Sequence, residues 1–134
     1  MSFNKEHRYR LVRYSTFLER EVEDYVLFEG MAQDDYIQRR SKRRDVESWI
    51  ENQINVTVDI AKVILNAEGL PVPDTYREIV ASLAIFSAFK KETIEALSRW
   101  IRLRNIISHE FLDVKWDSIK KFILGGSALY NEFF

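Results

Sequence analysis

The 134-residue sequence contains no cysteine, two prolines, four glycines and two histidines. Without cysteine the chain cannot form disulfides, thiolate metal sites or a cysteine nucleophile. The scarcity of glycine and proline disfavours an all-β fold, which needs many tight turns. The histidines, His7 and His109, are too far apart in sequence to give a metal-ligand spacing, and no glycine-rich phosphate loop is present. We therefore predict neither a metal site nor a cofactor.

Long apolar runs are also missing, since none approaches the roughly 20 residues that a membrane span needs. The opening residues, MSFNKEHRYRLVRY, are charged from Lys5 onward and are unlike a secretory signal. The apolar and charged fractions, 46% and 31%, are ordinary for a globular protein. These features predict one cytoplasmic domain over residues 1–134, with no membrane association.

Charge is nearly balanced overall but uneven along the chain. A net charge of −1 provides no global field that would attract nucleic acid. Residues 39–44, RRSKRR, are nevertheless basic, as are residues 99–104, RWIRLR, whereas residues 19–24, EREVED, are mostly acidic. The basic cluster 39–44 could hold phosphates, or form a solvated helix face, or lie against the acidic segment.

Apolar residues recur every three or four positions along most of the chain, the period of a helix. This predicts an all-α, antiparallel bundle of about five helices, of which the two N-terminal ones are long. The predicted helices cover about residues 4–30, 34–68, 75–88 and 92–111, and a fifth begins near residue 113. Tyr76 lies on the inward face predicted for the third helix. The inward stripe predicted for the second helix consists of Val46, Trp49, Ile50, Gln53, Val56, Ile60 and Ile64.

Glycine, proline and capping residues mark the predicted helix ends. Gly30 suits a left-handed cap after the first helix, and the segment GLPVPD, residues 69–74, ends the second. Asp74 or Thr75 can cap the third helix. The glycine pair at 125–126 either ends the fifth helix or weakens it, and the helical spacing of the tail leads us to expect that the helix continues.

Arg104 and His109 are candidate functional residues because they lie on an otherwise largely apolar predicted helix. A spacing of five residues separates them by roughly 140° around a straight helix, so they do not stack as an i, i+4 pair would. Either the helix bends or ends near His109, or the arginine wraps round it, or two copies face each other across a two-fold axis. A structural role is also open, with His109 complementing the helix dipole and Arg104 pairing with Glu110 or Asp113.

The segment RLRNIISHEFLDVKW resembles the signature of the HEPN superfamily, and more closely that of the HepT-like toxins of prokaryotic HEPN/minimal nucleotidyltransferase toxin–antitoxin systems. That motif has an arginine, a polar residue, three further residues and a histidine. Arg104, Asn105 and His109 match it. Residues 59–83, DIAKVILNAEGLPVPDTYREIVASL, also resemble the middle of that family, so the likeness covers roughly the C-terminal two-thirds of the chain.

The resemblance implies a metal-independent endoribonuclease, working in a cleft of a homodimer and neutralised by a minimal nucleotidyltransferase antitoxin. Arg104 and His109 would be catalytic, Asn105 would orient a phosphate or the histidine, and Arg99 and Arg102 would lie along the path of the RNA substrate. The residue types suit this reaction, since histidine titrates near pH 6.5 and arginine is always charged.

One position departs from the family pattern. A tyrosine usually follows the histidine by two positions and receives adenylate groups from the antitoxin, but Phe111 occupies that place and has no hydroxyl. This departure favours an alternative, in which the chain is a non-catalytic, substrate-binding partner of the nucleotidyltransferase. In a third interpretation the chain is a helical interaction module and the motif is coincidental.

Overall fold

The computed structural model describes residues 4–86, 89–109 and 112–133, and at residues 105, 108–109, 112–114, 127–129 and 131–133 it describes the backbone only. Its helices are α1 (Lys5–Glu23), α2 (Tyr25–Phe28), α3 (Gln33–Gln38), α4 (Arg40–Ala67), α5 (Tyr76–Ala81), α6 (Lys91–Trp100), α7 (Arg102–His109) and α8 (Leu112–Phe133), with a 3-10 helix at Ser82–Ile85. This part of the chain contains no strand. The predicted all-α helical bundle is confirmed, and five of these helices have eight or more residues.

Helix α4 lies at the centre of the bundle, because α1, α3, α5 and α7 all pack against it. Helix α8 packs against α3, α6 and α7 and closes the core from the other side. The inward stripe predicted for α4 is confirmed except at Ile64, which is half-buried; its buried members are Val46, Trp49, Ile50, Gln53, Val56 and Ile60. No helix in the described ranges is long and apolar enough to cross a bilayer.

The buried polar member of that stripe, Gln53, is satisfied by a chain of hydrogen bonds. Its Oε1 accepts from the Tyr25 hydroxyl at 2.8 Å, and its Nε2 donates to the carbonyl of Trp49 at 3.3 Å. Thr57 donates to the Gln53 carbonyl at 2.7 Å and lies 3.1 Å from the hydroxyl of Tyr130. Burial raises the pKa of Tyr130 to about 12, so this phenol stays neutral at any ordinary pH.

The first helix is shorter than predicted, because a tertiary hydrogen bond interrupts it at Asp24. The indole Nε1 of Trp49 donates to the Glu21 carbonyl at 2.7 Å, and the amide of Asp24 reaches the same carbonyl at 3.1 Å. The acceptor that a continuing helix would give to Tyr25 is thereby taken. The chain restarts as α2 and turns Tyr25 into the core.

The second predicted helix is divided at Arg39, whose backbone is extended (φ −107°, ψ 100°). The division lets the short helix α3 bury Tyr36, whose hydroxyl donates to Glu47 at 2.8 Å and whose ring lies 5.5 Å from that of Trp116. Nothing in the helical period of residues 34–68 signals this bend, which exists because α8 provides the partner for Tyr36.

Glycine and capping predictions had mixed outcomes. Gly69 ends α4 with a positive φ of 70°, and Thr75 caps α5 by accepting from the amide of Glu78 at 3.2 Å, both as predicted. The left-handed cap predicted at Gly30 is wrong, since its φ is not positive. The chain leaves α2 instead through a turn closed by the Met31 amide and the Phe28 carbonyl at 3.0 Å.

The C-terminal half also departs from the predicted bounds. The third predicted helix tightens into the 3-10 turn after Ala81, and residues 87–88 of its predicted range lie outside the described residues. The fourth is interrupted at Ile101, where the amide of Arg104 bonds the carbonyl of Ile101 at 3.2 Å. Helix α8 continues through Gly125 and Gly126, as expected.

Candidate functional site

Arg104, the arginine of the motif, lies in the first turn of α7 and is half-buried. Its guanidinium carbon is 4.7 Å from the centre of the Tyr76 ring, a separation at which the cation is attracted to the negative face of the ring. Tyr76 is the first residue of α5 and follows its cap, Thr75. The Thr75 cap therefore fixes the start of α5, and with it the position of the Tyr76 ring that the Arg104 guanidinium contacts.

A second cation lies over the same ring. The Lys62 ammonium on α4 is 5.6 Å from the centre of the Tyr76 ring, so cations from two different helices, α4 and α7, lie over this ring. Burial raises the pKa of nearby Asp59, and Lys62 opposes that shift. The side of the bundle formed by α4, α5 and α7 thus concentrates positive charge around one aromatic ring.

The histidine of the motif, His109, is the last residue of α7. Because α7 is helical from Arg102 to His109, position 109 lies roughly 140° around the axis from Arg104, which contacts α5. The side chains of Asn105 and His109 are outside the described residues, as are the whole of Phe111 and the Glu110 and Asp113 carboxylates of the alternative pairing. Their predicted roles therefore remain predictions.

Arg99 and Arg102 line a shallow depression of about 280 Å³ between α7 and α8, which we call the α7–α8 groove. Both arginines are exposed. Its lining residues are Arg99, Trp100, Arg102, Leu103, Ile106, Ser118 and Lys121. The structure thus brings together two residues predicted to contact RNA and adds Lys121, which comes from a different helix.

The basic cluster 39–44 spans the junction of α3 and α4. Arg39 and Lys42 lie 3.9 and 3.6 Å from the Asp35 carboxylate, and the Arg43 guanidinium donates to the Ile37 carbonyl at 3.2 Å. Arg40 and Arg44 are exposed. The cluster thus forms a solvated helix face with local partners on α3, and its predicted role in holding phosphates remains a prediction.

His7 has a structural position. It is the third residue of α1, where its amide donates to Asn4 Oδ1 at 2.8 Å and its Nδ1 accepts from the Asn4 amide at 3.3 Å. This reciprocal cap satisfies amides that a helix start leaves open. Among the described side chains, no group of three His, Asp or Glu residues could hold a metal ion.

Sequence reasoning did not identify Tyr76, Lys62 or Lys121 as parts of these sites. Tyr76 was assigned only to the inward face of the third helix, which its half-buried ring fits in part. The signal that could have found it is the Tyr-Arg pair at 76–77, which follows the loop in the family-like segment. Lys62 and Lys121 carry no local signal, because their relevance depends on which helices become neighbours.

Comparison with known proteins gives one result for most of the chain. The sequence model of a protein family described as ribonuclease HepT-like matches residues 17–124, which include α4 to α7, the motif and most of α8. No curated protein matches the chain. The matched range contains Tyr76, Arg104 and the α7–α8 groove, and the chain therefore belongs to the ribonuclease HepT-like family.

Proposed function

We propose that this protein is a metal-independent endoribonuclease, the toxin of a toxin–antitoxin pair, with Arg104 and His109 as its catalytic residues. The observation that carries the proposal is the R-x4-H motif on a single short helix, α7, within the range matched by the ribonuclease family. A cytoplasmic site of action fits an RNA substrate. The proposed antitoxin is a minimal nucleotidyltransferase, as the resemblance implies.

The proposed reaction uses the nucleophile that RNA carries. The 2′-hydroxyl oxygen attacks the adjacent phosphorus while the bond from phosphorus to the 5′-oxygen breaks, which leaves a 2′,3′-cyclic phosphate and a free 5′-hydroxyl. His109 transfers the proton from the attacking 2′-hydroxyl to the leaving 5′-oxygen, since imidazole titrates near neutral pH. Arg104 stabilises the negative charge that grows on the phosphoryl oxygens. Asn105 would orient the phosphate or the histidine.

The proposed cleft lies between two copies of the chain. Arg104 contacts α5 through Tyr76, and position 109 lies roughly 140° further around α7. Within one copy, the two groups are therefore poorly placed to act on one phosphodiester. A two-fold pairing of α7 helices would bring the arginine of one copy to the histidine of the other.

The test is cleavage of a structured RNA, in the presence of a chelator, by wild-type protein and by the His109→Ala and Arg104→Ala variants. We expect each variant to remain folded and to lose at least about 100-fold in rate, the usual contribution of a proton-transfer or charge-stabilising group. A strand of the same sequence with 2′-deoxy sugars lacks the nucleophile and should remain intact with every protein. Unchanged cleavage by His109→Ala would remove that residue from the mechanism.

A second candidate function rests on Phe111. Because phenylalanine cannot be adenylated, a partner nucleotidyltransferase could not silence this chain at that position, and the chain could instead supply substrate-binding surface to the partner. Toxicity on expression alone, relieved by the partner, favours the nuclease. A harmless chain that raises the partner's activity favours the second function.

A further inference from the structure

The α7–α8 groove contains three cations around one apolar floor. Arg99 and Arg102 border it from α6 and α7, and Lys121 faces them from α8, while Trp100, Leu103 and Ile106 supply apolar surface. All three cationic side chains are exposed. Among the ion pairs formed by described side chains, none involves any of the three.

Such an arrangement raises the local electrostatic potential. Like charges held around one depression repel each other, and the low-dielectric apolar floor beneath them weakens solvent screening. Asp117, one turn before Lys121 on α8, does not line the groove. An anion lying in the groove would relieve this repulsion, so the groove is better suited to an anionic ligand than to solvent.

The apolar part of the groove narrows the class of anion. The half-buried Trp100 ring packs edge-on against Phe122, with ring centres 5.1 Å apart, and this contact fixes its orientation while it still lines the groove. Alternation of cations with an aromatic and aliphatic floor is typical of surfaces that follow an unpaired nucleic-acid strand, where phosphates meet the cations and bases meet the apolar surface.

We propose that the α7–α8 groove binds single-stranded RNA, with Arg99, Arg102 and Lys121 on its phosphates. The choice of RNA rests on the proposed function. The helical period places Arg102 and position 109 on the same flank of α7, two turns apart. A strand held in the groove would therefore run along α7 towards the motif histidine. Lys121 is the specific addition, because it ties α8 to substrate binding.

The experiment measures binding rather than cleavage. A fluorescein-labelled 2′-O-methyl oligouridine cannot be cut by attack of a 2′-hydroxyl, so wild-type protein can be titrated with it at salt concentrations between about 50 and 200 mM. For single strands, each phosphate contact contributes about 0.7 to the slope of log affinity against log salt. We expect Lys121→Gln to make that slope shallower by about 0.7, and the Arg99→Gln/Arg102→Gln double variant by about twice as much.

Lys120→Gln is the matched control. It removes the same charge from the neighbouring position of α8, which is also exposed and does not line the groove. Its slope should equal that of the wild-type protein. Equal changes in slope for Lys120→Gln and Lys121→Gln would indicate diffuse surface charge and contradict binding in the groove. A wild-type protein that does not bind the strand would contradict it as well.

The result is independent of catalysis. If the wild-type protein cleaves no RNA but Lys121→Gln changes the salt slope and Lys120→Gln does not, the groove is supported as an RNA-binding site and the proposed nuclease activity fails. If cleavage requires Arg104 and His109 but neither Lys121→Gln nor the arginine double variant alters binding, the nuclease is retained and the groove fails. A duplex of the same backbone chemistry should bind more weakly than the single strand, because its bases cannot reach the apolar floor.

Discussion

At the scale of single residues, the position of Arg104 depends on Tyr76. The guanidinium lies 4.7 Å from the ring centre, and the ring is held at the start of α5 by the Thr75 cap. An arginine side chain loses considerable rotamer freedom when it is fixed in one place. An aromatic face that already holds it lowers the cost of presenting it to a phosphate. Tyr76 is therefore a positioning residue in the proposed mechanism.

Two replacements of Tyr76 distinguish the contribution of its ring from that of its hydroxyl. Tyr76→Phe keeps the ring and should cleave RNA at nearly the wild-type rate, whereas Tyr76→Leu should lose about 3- to 10-fold in kcat, the rate equivalent of a partly exposed cation–π contact. NMR of the Arg104 side chain gives a readout that does not depend on activity. Its ring-current shift should survive in Tyr76→Phe and disappear in Tyr76→Leu. Loss of the shift in both variants would contradict this role.

At the scale of secondary-structure elements, the packing of α2 against α8 decides where α8 can carry a side chain. Gly125 and Gly126 are adjacent in α8, yet their surroundings differ. A Cβ at Gly126 would overlap the Tyr25 hydroxyl and lie 2.9 Å from Tyr25 Cζ. Among the described side chains, a Cβ at Gly125 would meet only Trp100 Cζ2, at 3.9 Å. Tyr25 cannot move aside freely, because its hydroxyl donates to Gln53 and its ring packs on Trp49.

Alanine at these two positions should have opposite effects on stability. Gly126→Ala should lower the free energy of unfolding by about 1–3 kcal/mol, the usual cost of overpacking a core. Gly125→Ala should raise it by about 0.5–1 kcal/mol, because alanine is the better helix former and the site has room. Urea unfolding followed by circular dichroism measures both. A stabilised Gly126→Ala would show that α2 does not pack against α8 as described.

At the scale of the whole molecule, two features bear on assembly. Under the proposed mechanism, the 140° separation on α7 would make one copy a poor catalyst by itself. Several large apolar side chains also remain exposed, including Tyr9, Val12 and Leu27. Exposed apolar surface is common on monomers and does not identify an interface. The 140° separation of positions 104 and 109 therefore bears more directly on assembly, and mixed subunits can test it.

The mixed-subunit experiment combines two inactive variants. If the catalytic pair is built from two copies, unfolding and refolding Arg104→Ala and His109→Ala together should restore a clear fraction of wild-type cleavage, because a heterodimer retains one intact Arg104 opposite one intact His109. Each variant refolded alone should stay inactive. Activity that does not return, although heterodimers are demonstrated by mass spectrometry, would place both groups of the catalytic pair in one copy.

Much of the fold followed from local pattern. The helical period identified the helices and the stripe on α4, glycine and proline marked the end of α4 at Gly69, and Thr75 was one of the two residues predicted to cap α5. These features were predictable because burial of an apolar face and satisfaction of helix ends depend on residues close in sequence. The R-x4-H motif was visible for the same reason, since all its members lie within two turns.

The interruptions and the surroundings of the site required the tertiary structure. Helix α1 stops because Trp49 takes the Glu21 carbonyl, and α3 turns away because Trp116 offers a place for Tyr36. The contact of Arg104 with Tyr76 arises in the same way from helices that are distant in sequence, as does the placement of Arg102 and Lys121 around one groove. The sequence alone determined the helical class and the motif, because periodicity and spacing are local properties. Only the packing of the helices decided which ring holds the arginine and which cations share a groove, since those contacts depend on neighbours that no local pattern specifies.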